Sequence, residues 1–297
     1  MIELSRLAKT YSDGTCGLAP LDLELDAGVT GLLGPNGAGK STLLEMLVLA
    51  LEPSGGRRVY FGLDDRPAHQ RRIRPWIGYL PQELVPVAEL TGSESLRLCV
   101  ALRGVHGLRL PRRERERRIA GLLEAVELAD AAHTRTGEYS GGMIRRLGLA
   151  QALVHGPRLL VVDEPTAGLD PEERIRFRNT VTEVGDRIPV LLSTHIVEDI
   201  EATCPRICVL ERGELRFDGA PGELLRCAAG RVWTVPAGAE ADHVAVGRRT
   251  GESEGGTVVV GTRPPHPDSR PTEPSLEEAY AVFLADHEAD CGGVSAV

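Results

Sequence analysis

Lysine is nearly missing from this chain of 297 residues: of 34 basic side chains, only Lys9 and Lys40 are lysine and 32 are arginine. A sequence that writes arginine almost wherever a positive charge will do keeps lysine for a place where a planar guanidinium will not serve. Long hydrophobic runs are missing too. No uncharged apolar stretch approaches the roughly 18 residues of a membrane span, so any membrane role calls for a separate membrane-spanning partner. Met1 to Lys9 has no basic start leading into an apolar segment, and no secretory signal is expected. The six cysteines (Cys16, Cys99, Cys204, Cys208, Cys227, Cys291) include no C-x-x-C pair. Cys204 and Cys208 lie four apart without a second pair or a histidine cluster, so small buried hydrophobes or free thiols in a reducing cytoplasm are expected rather than a zinc site. Net positive charge is also lacking: at −9, the chain is a poor match for a surface that wraps nucleic acid.

Lys40 stands in the run Gly34-Pro35-Asn36-Gly37-Ala38-Gly39-Lys40-Ser41-Thr42. The spacing is that of a phosphate-binding loop, in which backbone N–H groups curl around phosphates and a slim ammonium reaches the outer ones. A random chain of this length would show the pattern about once in a hundred. The surroundings supply what the motif needs: an apolar strand-like run, Gly28 to Leu33, before it, and a helical stretch from Ser41 to Leu51 after it.

The 297 residues suit one large α/β domain with a small appendage, or two modest domains. Residues 1 to about 33 begin as an antiparallel, half-exposed sheet, with Leu21 to Asp26 alternating at period two and Asp13-Gly14 marking a turn. Leu159 to Val162 and Val190 to Thr194 are short continuous apolar runs of the kind found at the centre of a parallel sheet. Three helices are expected between them: Ser93 to Arg103, Pro111 to Val126 and Ser140 to Leu153. The run Arg112 to Arg118 opens the second; its interleaved glutamates, followed by Ile119, Leu122, Leu123 and Val126, favour a solvated helix face over a nucleic-acid patch. Beyond Gly219, strands are expected at Arg231–Val235, His243–Val246 and Thr257–Val260. An extended proline-rich linker at Pro264–Pro274 and a helix from the capping box at Ser275 to about His287 complete the chain.

Two further constellations carry chemistry. Asp163-Glu164 follows the strand Leu159–Val162, at the carboxyl edge where doubly wound sheets bind ligands; with a phosphate loop upstream, Asp163 is the expected partner of a magnesium ion through water, with Ser41 giving a hydroxyl ligand. Tyr139-Ser140-Gly141-Gly142-Met143 opens the third helix, where Ser140 is a good N-cap and two glycines bare the first orphan N–H groups. That makes a second anion-binding helix end, which one γ-phosphate has no use for unless it serves another copy.

With these motifs in order, the chain resembles the ATP-binding cassette (ABC) transporter ATPases over roughly residues 1–220. Gly34 to Thr42 resembles their Walker A loop, Gln82 the Q-loop, Tyr139 to Met143 the signature, Leu159 to Glu164 Walker B, Ala167 to Asp170 the D-loop and Ser193 to His195 the H-loop. Tyr11 stands where the family places an aromatic that stacks on adenine. The signature has Tyr139 for the commoner Leu and Met143 for Gln, keeping Ser140 and both glycines. With a C-terminal extension, it resembles exporter-type (ABC-2) subfamilies such as antibiotic-resistance transporters.

The resemblance implies an α/β fold: a P-loop NTPase core with an antiparallel β subdomain and an α-helical subdomain (about 88–154), within an ATP-binding domain at 1–220, and a small α+β accessory extension at 221–297. It implies ATP and Mg2+ as cofactors, with Ser41, Gln82 and Asp163 toward the metal. Two cassettes, as a homodimer or heterodimer, would sandwich ATP between the Gly34–Thr42 loop of one copy and Ser140, Gly141 and Gly142 of the other, with Asp170 at the junction. Glu164 is the candidate base, His195 the donor to the γ-phosphate and Gln82 the sensor. The implied partner is a separately encoded membrane permease, with this chain peripheral on the cytoplasmic face. A soluble ABC ATPase acting on ribosomes or nucleic acid is the alternative, but it typically needs two cassettes in one chain, a long coiled-coil insertion or zinc modules, and no nucleic-acid partner is expected.

Overall fold

Continuous aliphatic strands make the centre of the protein in a computed structural model that describes residues 1–102, 111–235, 245–248, 257–260 and 264–291. The strands β3 (Gly28–Leu33), β6 (Ile77–Leu80), β7 (Leu159–Asp163), β8 (Pro189–Ser193), β9 (Arg206–Glu211) and β10 (Glu214–Gly219) form a six-stranded sheet in the order β10-β9-β3-β8-β7-β6. All but the β9–β10 turn-back run parallel. Every residue of β7 and of β8 is buried, because helices must cover both faces of a sheet whose strands cross over in parallel. The helices α1 (Lys40–Leu47), α6 (Pro171–Gly185) and α7 (Val197–Thr203) leave the carboxyl ends of β3, β7 and β8 respectively. Register then decides which side chains meet: Leu32 pairs with Ser193, and Ser193 with Asp163, in one row. Leu80 pairs with Val162, so Gln82 and Glu164, each two residues further on, emerge at one level.

A second, antiparallel sheet has the order β2-β1-β4-β5, from β1 (Ile2–Thr10), β2 (Cys16–Leu25), β4 (Gly55–Tyr60) and β5 (Leu63–Asp64). Leu18, Leu21, Leu23 and Leu25 of β2 share one core with Leu43, Leu44, Met46 and Leu47 of α1. The residue pattern gave no sign of β4, β5 or α2 (Pro67–Ile73), since β4 opens Gly55-Gly-Arg-Arg58. Yet Arg58 is fully buried. Its Nε donates to Asp65 Oδ2 at 2.5 Å, and its Nη1 donates to the carbonyls of Met46 and Leu51. Tyr60 donates to the Leu47 carbonyl at 2.6 Å. Arg58 and Tyr60 thus satisfy orphan carbonyls at the end of α1 and fix the helix that begins at Lys40.

The helices α3 (Gly92–Leu102), α4 (Arg112–Ala125) and α5 (Gly141–Leu153) enclose a core of Leu96, Ile119, Leu123, Val126, Leu128, Tyr139, Leu147, Ala150 and Val154. Arg103, the expected end of α3, lies outside the described residues. The Arg112–Arg118 run lies on an outer face: Arg97 forks onto Glu116 (Nη2 to Oε2, 2.8 Å), and Arg118 Nε donates to the Val154 carbonyl at 2.7 Å.

The chain divides into two compact units, Met1–Asp218 and Gly219–Val297. The second holds α8 (Pro221–Cys227), β11 (Val232–Val235), β12 (Ala245–Arg248), β13 (Thr257–Val260), β14 (Arg270–Pro271) and α9 (Leu276–Cys291), with the sheet order β12-β13-β11-β14. Three expectations change here. The middle strand lies two residues later than His243–Val246, and His243 and Val244 are outside the described residues. The proline-rich linker is partly sheet: β14 pairs with β11 through Arg270 and Pro271, a position open to proline because an edge strand need not donate outward. The last helix runs past His287 to Cys291. The capping box forms as expected, Ser275 N donating to Glu278 Oε2 at 2.8 Å and Glu278 N to Ser275 Oγ at 3.3 Å.

Candidate active site

Gly37 and Gly39 have φ of +80° and +101°, the left-handed region that side chains resist, and so the loop between β3 and α1 curls back on itself. A Cβ at Gly39 would also stand 2.6 Å from the Gly17 carbonyl oxygen. At the start of α1, Lys40 is buried and donates to the carbonyls of Gly34 (2.5 Å) and Pro35 (3.1 Å). Burial pulls the ammonium below the ordinary lysine range, while Glu164 and Asp163 pull it back up.

Around the loop lies an open cavity of about 440 Å³, lined by Tyr11, Thr15, Cys16, Gly17, Asn36 to Thr42, Gln82, Glu164 and His195. Tyr11 forms one wall, its hydroxyl 3.1 Å from Thr42 Oγ1. Its ring rests on Gly17, where a Cβ would meet it at 2.5 Å. The chain's other lysine is nearby: Lys9 Nζ donates to the Glu52 carbonyl at 2.7 Å and lies 5.5 Å from the centre of the Tyr11 ring. Thr15, Cys16 and Gly17 had not been anticipated from the sequence; the Asp13-Gly14 turn that aims β2 at the loop is the only signal that could have found them.

At the far wall, three candidate residues converge on one atom. Gln82 Nε2 donates to Glu164 Oε2 at 3.2 Å, and His195 Nδ1 lies 3.2 Å from the same oxygen. Glu164 has a φ of +44° and its amide donates to the Ser193 carbonyl at 2.9 Å, so the turn after β7 is bound to the end of β8. A non-glycine residue in this region is strained, and such strain concentrates at functional sites.

Asp163 sits one residue behind the lining, and burial pushes its carboxyl above the ordinary value of 3.8 while Lys40 pulls it down. Ser41, Gln82 and Glu164, which carry side-chain oxygens, are among the residues lining the cavity. Hard oxygen donors of this kind suit Mg2+, which keeps several waters and takes its other ligands from phosphates. Among the described residues no group of three or more His, Cys, Asp or Glu side chains could hold a metal ion by itself.

Two of the expected groups are elsewhere in the same unit. Ser140 caps α5, its Oγ accepting from the Met143 amide at 3.1 Å, and Gly141 and Gly142 form the first turn. Tyr139 anchors this turn in the helical core, donating to the Ala131 carbonyl at 2.7 Å. Asp170 caps α6, accepting from the Glu173 amide at 2.8 Å. None of these lines the cavity.

The family model for ABC transporters matches residues 18–167. The chain is 39% identical over 204 residues to an uncharacterized ABC transporter ATP-binding protein, YxlF, of Bacillus subtilis, covering 69% of this chain and 65% of that one. It is 40% identical over 228 residues to Nod factor export ATP-binding protein I of Rhizobium johnstonii, covering 75% and 70%. The matched stretch thus spans about two thirds of the length of these curated relatives. Among solved structures, the dimeric post-hydrolysis state of the ATP-binding cassette MJ0796 bound to ADP and Pi superposes with a TM-score of 0.66 at 25% identity, covering 74% of this chain and 98% of that one.

Proposed function

The chain belongs to the ABC transporter family of ATP-binding proteins, and from that premise we propose that it is the ATP-hydrolysing subunit of an exporter, working as paired cassettes on a separately encoded membrane permease. The observation that carries this reading is the convergence of Gln82 and His195, each 3.2 Å from Glu164 Oε2, beside the cavity that holds Lys40. Tyr11 offers a face for adenine. The amides of Gly34 to Thr42 and the ammonium of Lys40 hold the phosphates. Ser41 and Gln82 would hold Mg2+, with Asp163 acting through water; when bound, the ion neutralises charge on the outer phosphates. Glu164 orients and polarises the attacking water, help worth about 10²–10⁴ in rate. His195 donates toward the γ-phosphate, and Gln82 senses its presence.

Ser140, Gly141, Gly142 and Asp170, which lie away from the cavity, are read as serving a second copy. ATP then binds a closed pair better than an open one, and loss of the γ-phosphate removes the bridge. The dimeric cassette bound to ADP and Pi supports pairing, and the relative named for Nod factor export supports outward transport. Among the described residues no helix is long and apolar enough to cross a membrane, which is why the permease is read as a separate chain and this one as peripheral on the cytoplasmic face.

Glu164→Gln tests the reading. It should keep ATP binding, lose at least about 10²-fold in turnover and accumulate a dimer with MgATP, seen by size-exclusion chromatography and phosphate release. Wild-type turnover in that variant would remove Glu164 from its role.

A further inference from the structure

Gly142 is buried, and what covers it is a carboxylate. A Cβ added there would stand 1.9 Å from Cδ and from each carboxylate oxygen of Glu173. Glu173 therefore lies against the first turn of α5, the stretch assigned above to the triphosphate of a second copy. The neighbouring Gly141 is open, with nothing within 4 Å of an added Cβ.

Glu173 reaches this place from the first turn of α6, with its amide on Asp170 Oδ1 at 2.8 Å. Its cationic neighbour is Arg146, with Nη2 3.9 Å from Oε1. That guanidinium is already engaged through Nη1 with the carbonyls of Val126 (3.2 Å) and Glu127 (2.9 Å). A long, shared ion pair leaves the carboxylate beside Gly142 in the first turn of α5, near a helix end where an anion is favoured and a second anion is not.

We propose that Glu173 is a positioning residue that holds the first turn of α5 with a resident negative charge, which the γ-phosphate of ATP on a second copy must push aside. The proposal rests on the paired-cassette reading above. The charge opposes closure of the pair and favours reopening once the γ-phosphate has been cleaved. Because Glu173 and Asp170 are joined through one amide, arrival of the phosphate at α5 is felt at the start of α6.

The test compares Glu164→Gln with Glu164→Gln/Glu173→Gln in MgATP-dependent self-association. Glutamine keeps the size of the side chain and removes its charge. The double variant should assemble at roughly fourfold lower ATP, two like contacts per pair each contributing about a factor of two. This gain should shrink as salt rises from roughly 0.05 to 0.5 M. In the otherwise wild-type chain, Glu173→Gln should lower KM for ATP and kcat together, whereas Glu173→Asp should stay near the parent. A merely structural glutamate would give a lower melting temperature and an unchanged or higher ATP requirement, and an ATP requirement that stays the same or rises overturns the proposal. Absence of assembly in both Glu164→Gln chains would overturn the paired-cassette reading and the proposal with it.

Discussion

Glu164, the proposed base, also carries backbone strain. At φ +44° its conformation costs on the order of 1 kcal/mol or more, and the amide bond to Ser193 holds it in place. Glu164→Gly should therefore abolish hydrolysis without lowering the melting temperature. The relief of strain offsets the roughly 0.4–1 kcal/mol of chain entropy that glycine adds to the unfolded state. A fall of several degrees by differential scanning calorimetry would show that the turn is not strained. Lys40 shows what residue-scale reading can reach. Its scarcity marked it as a chemical choice, and the fold buries it with its ammonium on the Gly34 and Pro35 carbonyls.

The elements decide how Asp163 titrates. It ends β7 inside the sheet, where burial raises its pKa above 3.8. The folded, nucleotide-free chain thus holds this proton more tightly than the unfolded chain does. The stability this group contributes is complete below 3.8 and is lost as pH rises through the folded value. On the proposed function Mg2+ binding should move the opposite way, because the ion would need the carboxylate: MgATP affinity should strengthen as pH rises through that acid window. Asp163→Asn should bind MgATP more weakly and flatten the pH profile, as isothermal titration calorimetry at several pH values would read. A mutant profile as steep as that of the parent would assign the titration to another group. Much of the element pattern could be read in advance. The apolar runs of β7 and β8, the Ser140 cap and the Ser275 box are contiguous signals, and each formed within a residue or two of its expected place. The unread parts have long-range causes. β4 became a strand because β1 offered a partner, with Arg58 satisfied by Asp65, Met46 and Leu51, and β14 did so because β11 offered an edge. No local periodicity records either event.

For the whole molecule, the paired-cassette proposal implies that a site lacking part of its machinery can borrow it. On that proposal, Lys40→Ala removes the phosphate contact of one half. Gly141→Asp places an acid on the other half, at a position with space to accept it. Each chain alone should be inactive. Mixed one to one with a permease or in solution, they should recover up to about a quarter of wild-type turnover, since half the pairs hold one intact site of two. Phosphate release from the mixture and from each chain alone checks this, and no recovery would place both phosphate clamps in a single chain.

The sequence by itself determined the phosphate loop, the caps and the order of the motifs, because each depends on neighbouring residues: a glycine where φ is positive, a serine where a helix begins, an unbroken aliphatic run where a strand is covered on both sides. Only the tertiary structure decided that Gln82, Glu164 and His195 meet at one oxygen, that Arg58 holds the end of α1, and that Glu173 lies on Gly142. Those contacts follow from strand register and helix packing between segments far apart in the chain, which are properties of the assembled sheet and appear in no single stretch of residues.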